Sequence, residues 1–233
     1  KDNTGNAAID RTDYTFNVDK TKPEIAFTPD GIPIWIGSKE INIKATDIGG
    51  SDISKLTYKW ASGTELNKSP IQGEEEAFFA DGTTVNSSEV TITTPSVGGE
   101  YYLWVQAYDK AGNVISKKTT YSFQIDDEGP QISITPNGNN TWLNLQTATI
   151  TVEDSKSGIN STTLRYRIIK GSTTPSSMTD KDFFSAANGG QQFTNGQSIT
   201  IQGTAGNDWF LWVYAEDNAG NCKIGWSNAF YVQ

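Results

Sequence analysis

No histidine occurs among the 233 residues, and Cys222 is the only cysteine. Without histidine the Ser-His and Cys-His nucleophile pairs cannot form, and the commonest general base near neutral pH is missing. One cysteine makes no intrachain disulfide and cannot build a zinc site. Basic clusters are scarce too: Lys117-Lys118 is the longest run and the formal net charge is −9. Phosphate binding needs clustered Lys and Arg, so nucleic acid is excluded as a partner. No stretch approaches the roughly 20 apolar residues of a membrane helix, so no membrane span is expected. Carboxylate chemistry survives these filters. Yet no carboxylate pair stands out in the strands, where a glycosidase-like pair about 5–10 Å apart would be rigid. The sequence points away from an enzyme.

What the chain does have is a repeat. Residues 101–113 read YYLWVQAYDKAGN and residues 209–221 read WFLWVYAEDNAGN, with the matching Asp109 and Asp217 spaced by 108 positions. In each copy an alternating Leu-x-Val-x-Ala run (Leu103, Val105, Ala107; Leu211, Val213, Ala215) marks a strand with one inward face. Each run stops in Asp-x-Ala-Gly-Asn, a turn signal. Asp2 to Asn6 carries a third trace of that turn, followed by the alternating Tyr14, Phe16 and Val18. The chain thus opens inside a repeat and is expected to be a piece of a longer one.

Three segments follow: residues 1–19 as the terminal strand of a preceding repeat, 20–126 as repeat one and 127–233 as repeat two. Within repeat one, alternation marks strands at Ile25 and Phe27, at Ile41, Ile43 and Ala45, and at Leu56, Tyr58 and Trp60. A long polar connection over residues 61–88 carries the pair Phe78-Phe79. Strands resume at Val90 and Ile92, at residues 101–109, and at Tyr121, Phe123 and Ile125. Repeat two runs through the same order, with Pro130 answering Pro23, Trp142 answering Trp35 and Phe183-Phe184 in the long connection. Short alternating strands without a 3.6-residue period predict an all-β fold of two tandem antiparallel sandwiches.

The period near 107, the Asp-x-x-Gly-Asn turn after the alternating strand, and the Asp-x-x-x-Pro junctions (Asp19 to Pro23, Asp126 to Pro130) together resemble tandem bacterial immunoglobulin-like repeats. The resemblance covers essentially the whole chain, although the paired cysteines of antibody domains are absent and Ile168 stands where repeat one has Trp60. It implies a structural or adhesive stalk in an extracellular or cell-surface (cell-wall associated) protein. Its partners would be the neighbouring repeats of the same chain, with a glycan or a host or cell-surface protein as a further one.

Two places could carry chemistry. Following strand directions, the linker and the ends of the second and sixth strands meet at one pole of each sandwich. In repeat two this gathers Asp126, Asp127, Glu128, Asp154 and Asp217; in repeat one it gathers Asp19, Asp47 and Asp109. Ca²⁺ takes 6–8 oxygen ligands and tolerates irregular geometry, so either junction is a candidate calcium site, the second being the richer. Alternatively, each Asp bonds its own turn backbone. The other place is the outward face of the sixth strand, with Tyr102 and Trp104 in one copy and Phe210 and Trp212 in the other. An aromatic stripe there is either a platform for a sugar or protein, or the floor beneath a long connection folded back with its Phe pair.

Overall fold

The structure, a computed structural model, describes residues 3–5, 17–66, 68–171, 181–203 and 206–233. It is all-β, with strands grouped in two immunoglobulin-like sandwiches. In the first, β1 (Glu24–Thr28), β3 (Glu40–Thr46) and β6 (Glu89–Thr93) make a three-stranded sheet in the order β1-β3-β6. The facing sheet runs β2 (Ile32–Ile36), β9 (Phe123–Ile125), β7 (Gly99–Asp109), β4 (Ile53–Ser62) and β5 (Thr83–Val85), with β8 (Val114–Lys118) also on β7.

The second sandwich repeats this. Its smaller sheet is β10 (Gln131–Thr135), β12 (Gln146–Glu153) and β15 (Ser198–Ile201). Its larger one is β11 (Asn139–Leu143), β18 (Phe230–Val232), β16 (Asn207–Glu216), β13 (Arg165–Lys170) and β14 (Gln191–Gln192), with β17 (Cys222–Trp226) on β16.

The alternation sets the core. Leu103, Val105 and Ala107 on β7, and Leu211, Val213 and Ala215 on β16, are fully buried. The first trio packs with Ile41, Ile43, Leu56 and Phe123, the second with Ile150, Leu164, Ile201 and Phe230, in two separate clusters. Burying each of the leucine, isoleucine, valine and phenylalanine side chains contributes about 1.5–3 kcal/mol. That burial holds the facing sheets together without a disulfide.

Three features escape the alternation. The ladders are antiparallel except where β2 pairs β9 and β11 pairs β18 in parallel. Pro33 inside β2 reads against a strand, and is tolerated because β2 is an edge. Gly31 (φ 90°) carries the chain from β1 across to β2, where a Cβ would lie 2.1 Å from the Tyr121 carbonyl oxygen. Second, β8 and β17 are the return arms of hairpins through the two Asp-x-x-Gly-Asn turns, closed by Asn113 O accepting from Asp109 N–H and Asn221 O from Asp217 N–H. Third, the long connection of the first sandwich forms a one-turn helix, α1 (Glu75–Phe78). Of the expected leading strand, Tyr14 and Phe16 lie outside the described residues, and Val18 is exposed.

Candidate functional site

The aspartates of each pole converge. Carboxylate oxygens of Asp19, Asp47 and Asp109 lie within 4.8 Å of one another, as do those of Asp126, Asp154 and Asp217. Asp109, Asp126 and Asp217 are almost completely buried. Topology explains this: Asp47 and Asp154 follow β3 and β12, Asp109 ends β7, Asp217 follows β16, and Asp19 and Asp126 precede the first strand of each sandwich.

Each triad is also a hydrogen-bonded brace. Asp109 Oδ1 accepts from Asn113 N–H at 2.8 Å and its Oδ2 from Asn113 Nδ2 at 2.8 Å, while the same Nδ2 donates to Asp19 O at 3.2 Å. Asp217 and Asn221 repeat the pattern at 2.8 and 2.8 Å, with Asn221 Nδ2 reaching Asp126 O at 3.0 Å. Asp47 accepts from the N–H groups of Gly49, Ser51 and Asp52, and Asp154 from those of Lys156 and Gly158. The turn-bonding reading therefore describes most of these oxygens. Asparagine at the end of the turn does more than the sequence suggests, because its amide ties the turn to the incoming linker.

The two poles differ at one position. Two residues after the loop aspartate stands Gly49 in the first sandwich and Lys156 in the second. Lys156 Nζ lies 3.2 Å from Glu128 Oε1, 3.7 Å from Asp127 Oδ1 and 3.9 Å from Asp126 Oδ1. Burial opposes its charge, but Glu128, Asp126 and Asp127 outweigh it and raise its pKa. Asp127 and Glu128 thus sit on this ammonium rather than in the triad. A bond from the Gly98 N–H, and then Lys156, hold the Asp127 carboxyl below its ordinary value.

At the first pole Gly49 lets Asp19 lie against the backbone, since a Cβ there would meet Asp19 Oδ1 at 2.0 Å. Ser51 and the Thr21 N–H lower the Asp19 pKa, yet Asp19 Oδ2 is buried with no hydrogen bond of proper geometry. Among the described residues no lysine or arginine pairs with this triad. The second pole, by contrast, holds a cation of its own in Lys156.

The aromatic stripe is covered, the second of the two arrangements its sequence allowed. Trp104 is 6% exposed and Trp212 5%, while Tyr102 and Phe210 are partly buried. Phe78 packs edge-on against Trp104 with centroids 5.4 Å apart, and Lys118 lies 4.0 Å over the Tyr102 ring. In the second sandwich Phe183, Phe184 and Phe210 pack with Trp212, and Trp226 stacks on Trp212 at 4.9 Å. Large apolar faces rarely stay open, and each long connection closes its own.

Lys59 pins that cover in the first sandwich. Its ammonium, largely buried, donates to Asp81 at 2.8 Å and to the Phe78 carbonyl at 3.1 Å, and sits 4.7 Å over the Phe78 ring. Burial opposes the charge, but Asp81 and Glu65 raise the Lys59 pKa above 10.5, and Lys59 lowers that of Asp81 below 3.8. A base held high stabilises the fold below its unfolded pKa and loses that as pH rises through the folded value. A carboxyl held low does so above its unfolded pKa and loses it as pH falls. The midpoint of thermal melting is thus expected to be flat through neutral pH and to fall at both extremes. Lys59→Met should flatten the alkaline fall. Asp81→Asn at neutral pH should cost only about 0–1 kcal/mol, because Asp81 is exposed.

No protein-family model matches the chain, and no curated protein matches its sequence. Solved structures do. Fibronectin(III)-like modules of Clostridium thermocellum CbhA are similar at 16% identity over 90% of this chain and 94% of that one, with a TM-score of 0.34. Dpr2 Ig1-Ig2, from its complex with DIP-Theta, is similar at 14% identity over 91% of this chain and 65% of that one, with a TM-score of 0.28. A chimeric titin Z1Z2 is similar at 12% identity over 91% of this chain and 98% of that one, with a TM-score of 0.29.

Proposed function

We propose that the chain is a non-enzymatic spacer, two stacked repeats that hold a fixed geometry within a longer bacterial extracellular or cell-surface protein. The observation that carries this reading is the clasp between the sandwiches. Lys156, from the second sandwich, meets Asp126, Asp127 and Glu128 of the linker and lies 5.8 Å over the Trp35 ring of β2. Backbones also close in, since a Cβ on Gly37 would come within 2.6 Å of the Ala219 carbonyl oxygen. A linker tied at its carboxylates, at a ring and at the backbone resists bending, whereas a flexible one would leave relative motion as the default. The partners in this reading are the adjacent repeats of the same protein. The resemblance to bacterial immunoglobulin-like repeats supports the surface location.

Spin labels on Thr91→Cys and Thr200→Cys, in a Cys222→Ser background, test the clasp by pulsed electron resonance. One narrow distance distribution is expected, broadening when Lys156→Ala and Asp127→Ala are added. A broad distribution in the otherwise unchanged protein would end the spacer reading.

A second reading concerns calcium, and one observation favours it: three carboxylates crowd the first pole, and among the described residues no cation pairs with them. A divalent ion there would find several carboxylate oxygens already gathered within 4.8 Å of one another. We propose that calcium, where present, stiffens the entry to the first sandwich through Asp19, Asp47 and Asp109, and binds more weakly at Asp126, Asp154 and Asp217.

A further inference from the structure

The contact between the two sandwiches has a matching place at the far end of the second. On the first sandwich the seat is the end of β2. Trp35 lies 5.8 Å from the Lys156 ammonium, and Gly37 lies against the Ala219 carbonyl of the neighbouring turn. Trp35 and Ile36 are half-buried there. Trp142 and Leu143, at the end of β11, stand in the same places on the second sandwich.

At this second seat the side chains are open. Trp142 is 43% exposed, Leu143 39% and Leu145 51%. The Trp142 ring leans edge-on against Tyr231 of β18, with centroids 4.9 Å apart. Gln146 holds the strand end in place, its buried amide donating to the Thr141 and Tyr231 carbonyls. Residues 137–147 carry no charge, in a chain whose net charge is −9. Single exposed apolar residues are ordinary, but several together on a fixed backbone mark a surface that another surface covers.

The first sandwich shows what covers it: the pole of a neighbouring sandwich, bringing a lysine over the ring and a turn against the backbone. The fit differs in one respect. Asn144 stands where Gly37 does, and a Cβ at Gly37 would come within 2.6 Å of the Ala219 carbonyl oxygen. A neighbour on the second seat must therefore stand further off. Leu145 and Tyr231, in place of Ser38 and Gln124, bring the bulk that a wider gap needs.

We propose that this face seats the acidic pole of a further sandwich of the same kind, with the lysine matching Lys156 over the Trp142 ring and the Asp-x-x-Gly-Asn turn covering Leu145 and Tyr231. The proposal rests on the spacer reading, and it names the surface by which the second sandwich passes that geometry on.

The test extends the whole chain, residues 1–232 being followed by a second copy of residues 126–233. This gives the added sandwich its own Asp126, Asp127 and Glu128 as linker. Its folding is read from the melt, where the transition of the second sandwich should double in amplitude. Spin labels on Thr200→Cys in the middle and added sandwiches, with Cys222→Ser in both, report their separation. One narrow distance distribution is expected. Trp142→Ser with Leu145→Ser in the middle sandwich should spread it, and leave the melt unchanged because both residues are exposed.

The distance between Thr91→Cys and Thr200→Cys of the first two sandwiches, measured alongside, separates the two readings. A broad distribution for the added sandwich beside a narrow one for the first pair would overturn this proposal alone. Broad distributions for both would end the spacer reading and this proposal with it. A narrow distribution that survives Trp142→Ser with Leu145→Ser would also overturn it. So would sedimentation of the 233-residue chain as a dimer that Trp142→Ser dissociates, since the face would then serve a second copy.

Discussion

Leu211→Ala is expected to lower the stability of the second sandwich by about 2–5 kcal/mol, the usual cost of emptying a buried leucine site. Leu211 is completely buried, and its main chain lies opposite Ile168 in the β13–β16 ladder. The flanking strands are pinned by their own pairings and cannot collapse onto the void, which places the loss in the upper part of that range. For a domain of about 100 residues this is a fall in midpoint of roughly 10–30 °C. The first sandwich has a separate core, built around Leu103 and Phe123, and its transition should not move. Calorimetry therefore should resolve two transitions, only one of which responds, and Leu103→Ala should shift the other. If one mutation moves both by the same amount, the sandwiches unfold as a single unit and the clasp at Lys156 carries more energy than exposed ion pairs usually do.

The other large effect is expected from calcium. An ion that binds only the native state stabilises it by mass action, about 2.7 kcal/mol when free calcium is a hundredfold above its dissociation constant. The transition of the first sandwich should then rise by roughly 10–20 °C over its value in EGTA. Asp109→Asn should remove most of that rise. It should also lower stability in EGTA, because an NH₂ would replace the buried Oδ2 that accepts from Asn113 Nδ2. The second sandwich should respond less, because Lys156 already lies against Asp126 and Asp127. Lys156→Met should enlarge its response. An unchanged melt in calcium would retire both metal sites and leave the triads as turn braces.

How far the residues announced this arrangement depends on the kind of signal. Inward faces were legible because strict alternation over Leu103, Val105 and Ala107 leaves only one face to bury. The meeting of Asp126, Asp154 and Asp217 was legible too, since it follows from strand direction and where each strand ends. Strands β2 and β11 were not. Pro33 masks the first, Asn139-Asn140-Thr141 the second, and both are edge strands whose parallel pairing depends on a partner about 90 residues away. Lys156 was equally silent, because a lone lysine in a loop looks solvated until the linker carboxylates and Trp35 are placed around it.

The parallel pairing of β2 with β9 has a mechanical consequence. Strand β2 lies near the point where the chain enters the first sandwich, and β9 ends where it leaves. A pull on the two ends draws these parallel strands past each other lengthwise. Their hydrogen bonds are then loaded together rather than opened one after another, as a hairpin pulled from its ends would be. β11 and β18 present the same arrangement in the second sandwich. Each repeat should therefore resist tension between its ends better than its modest cores suggest, and yield abruptly when that short ladder gives way.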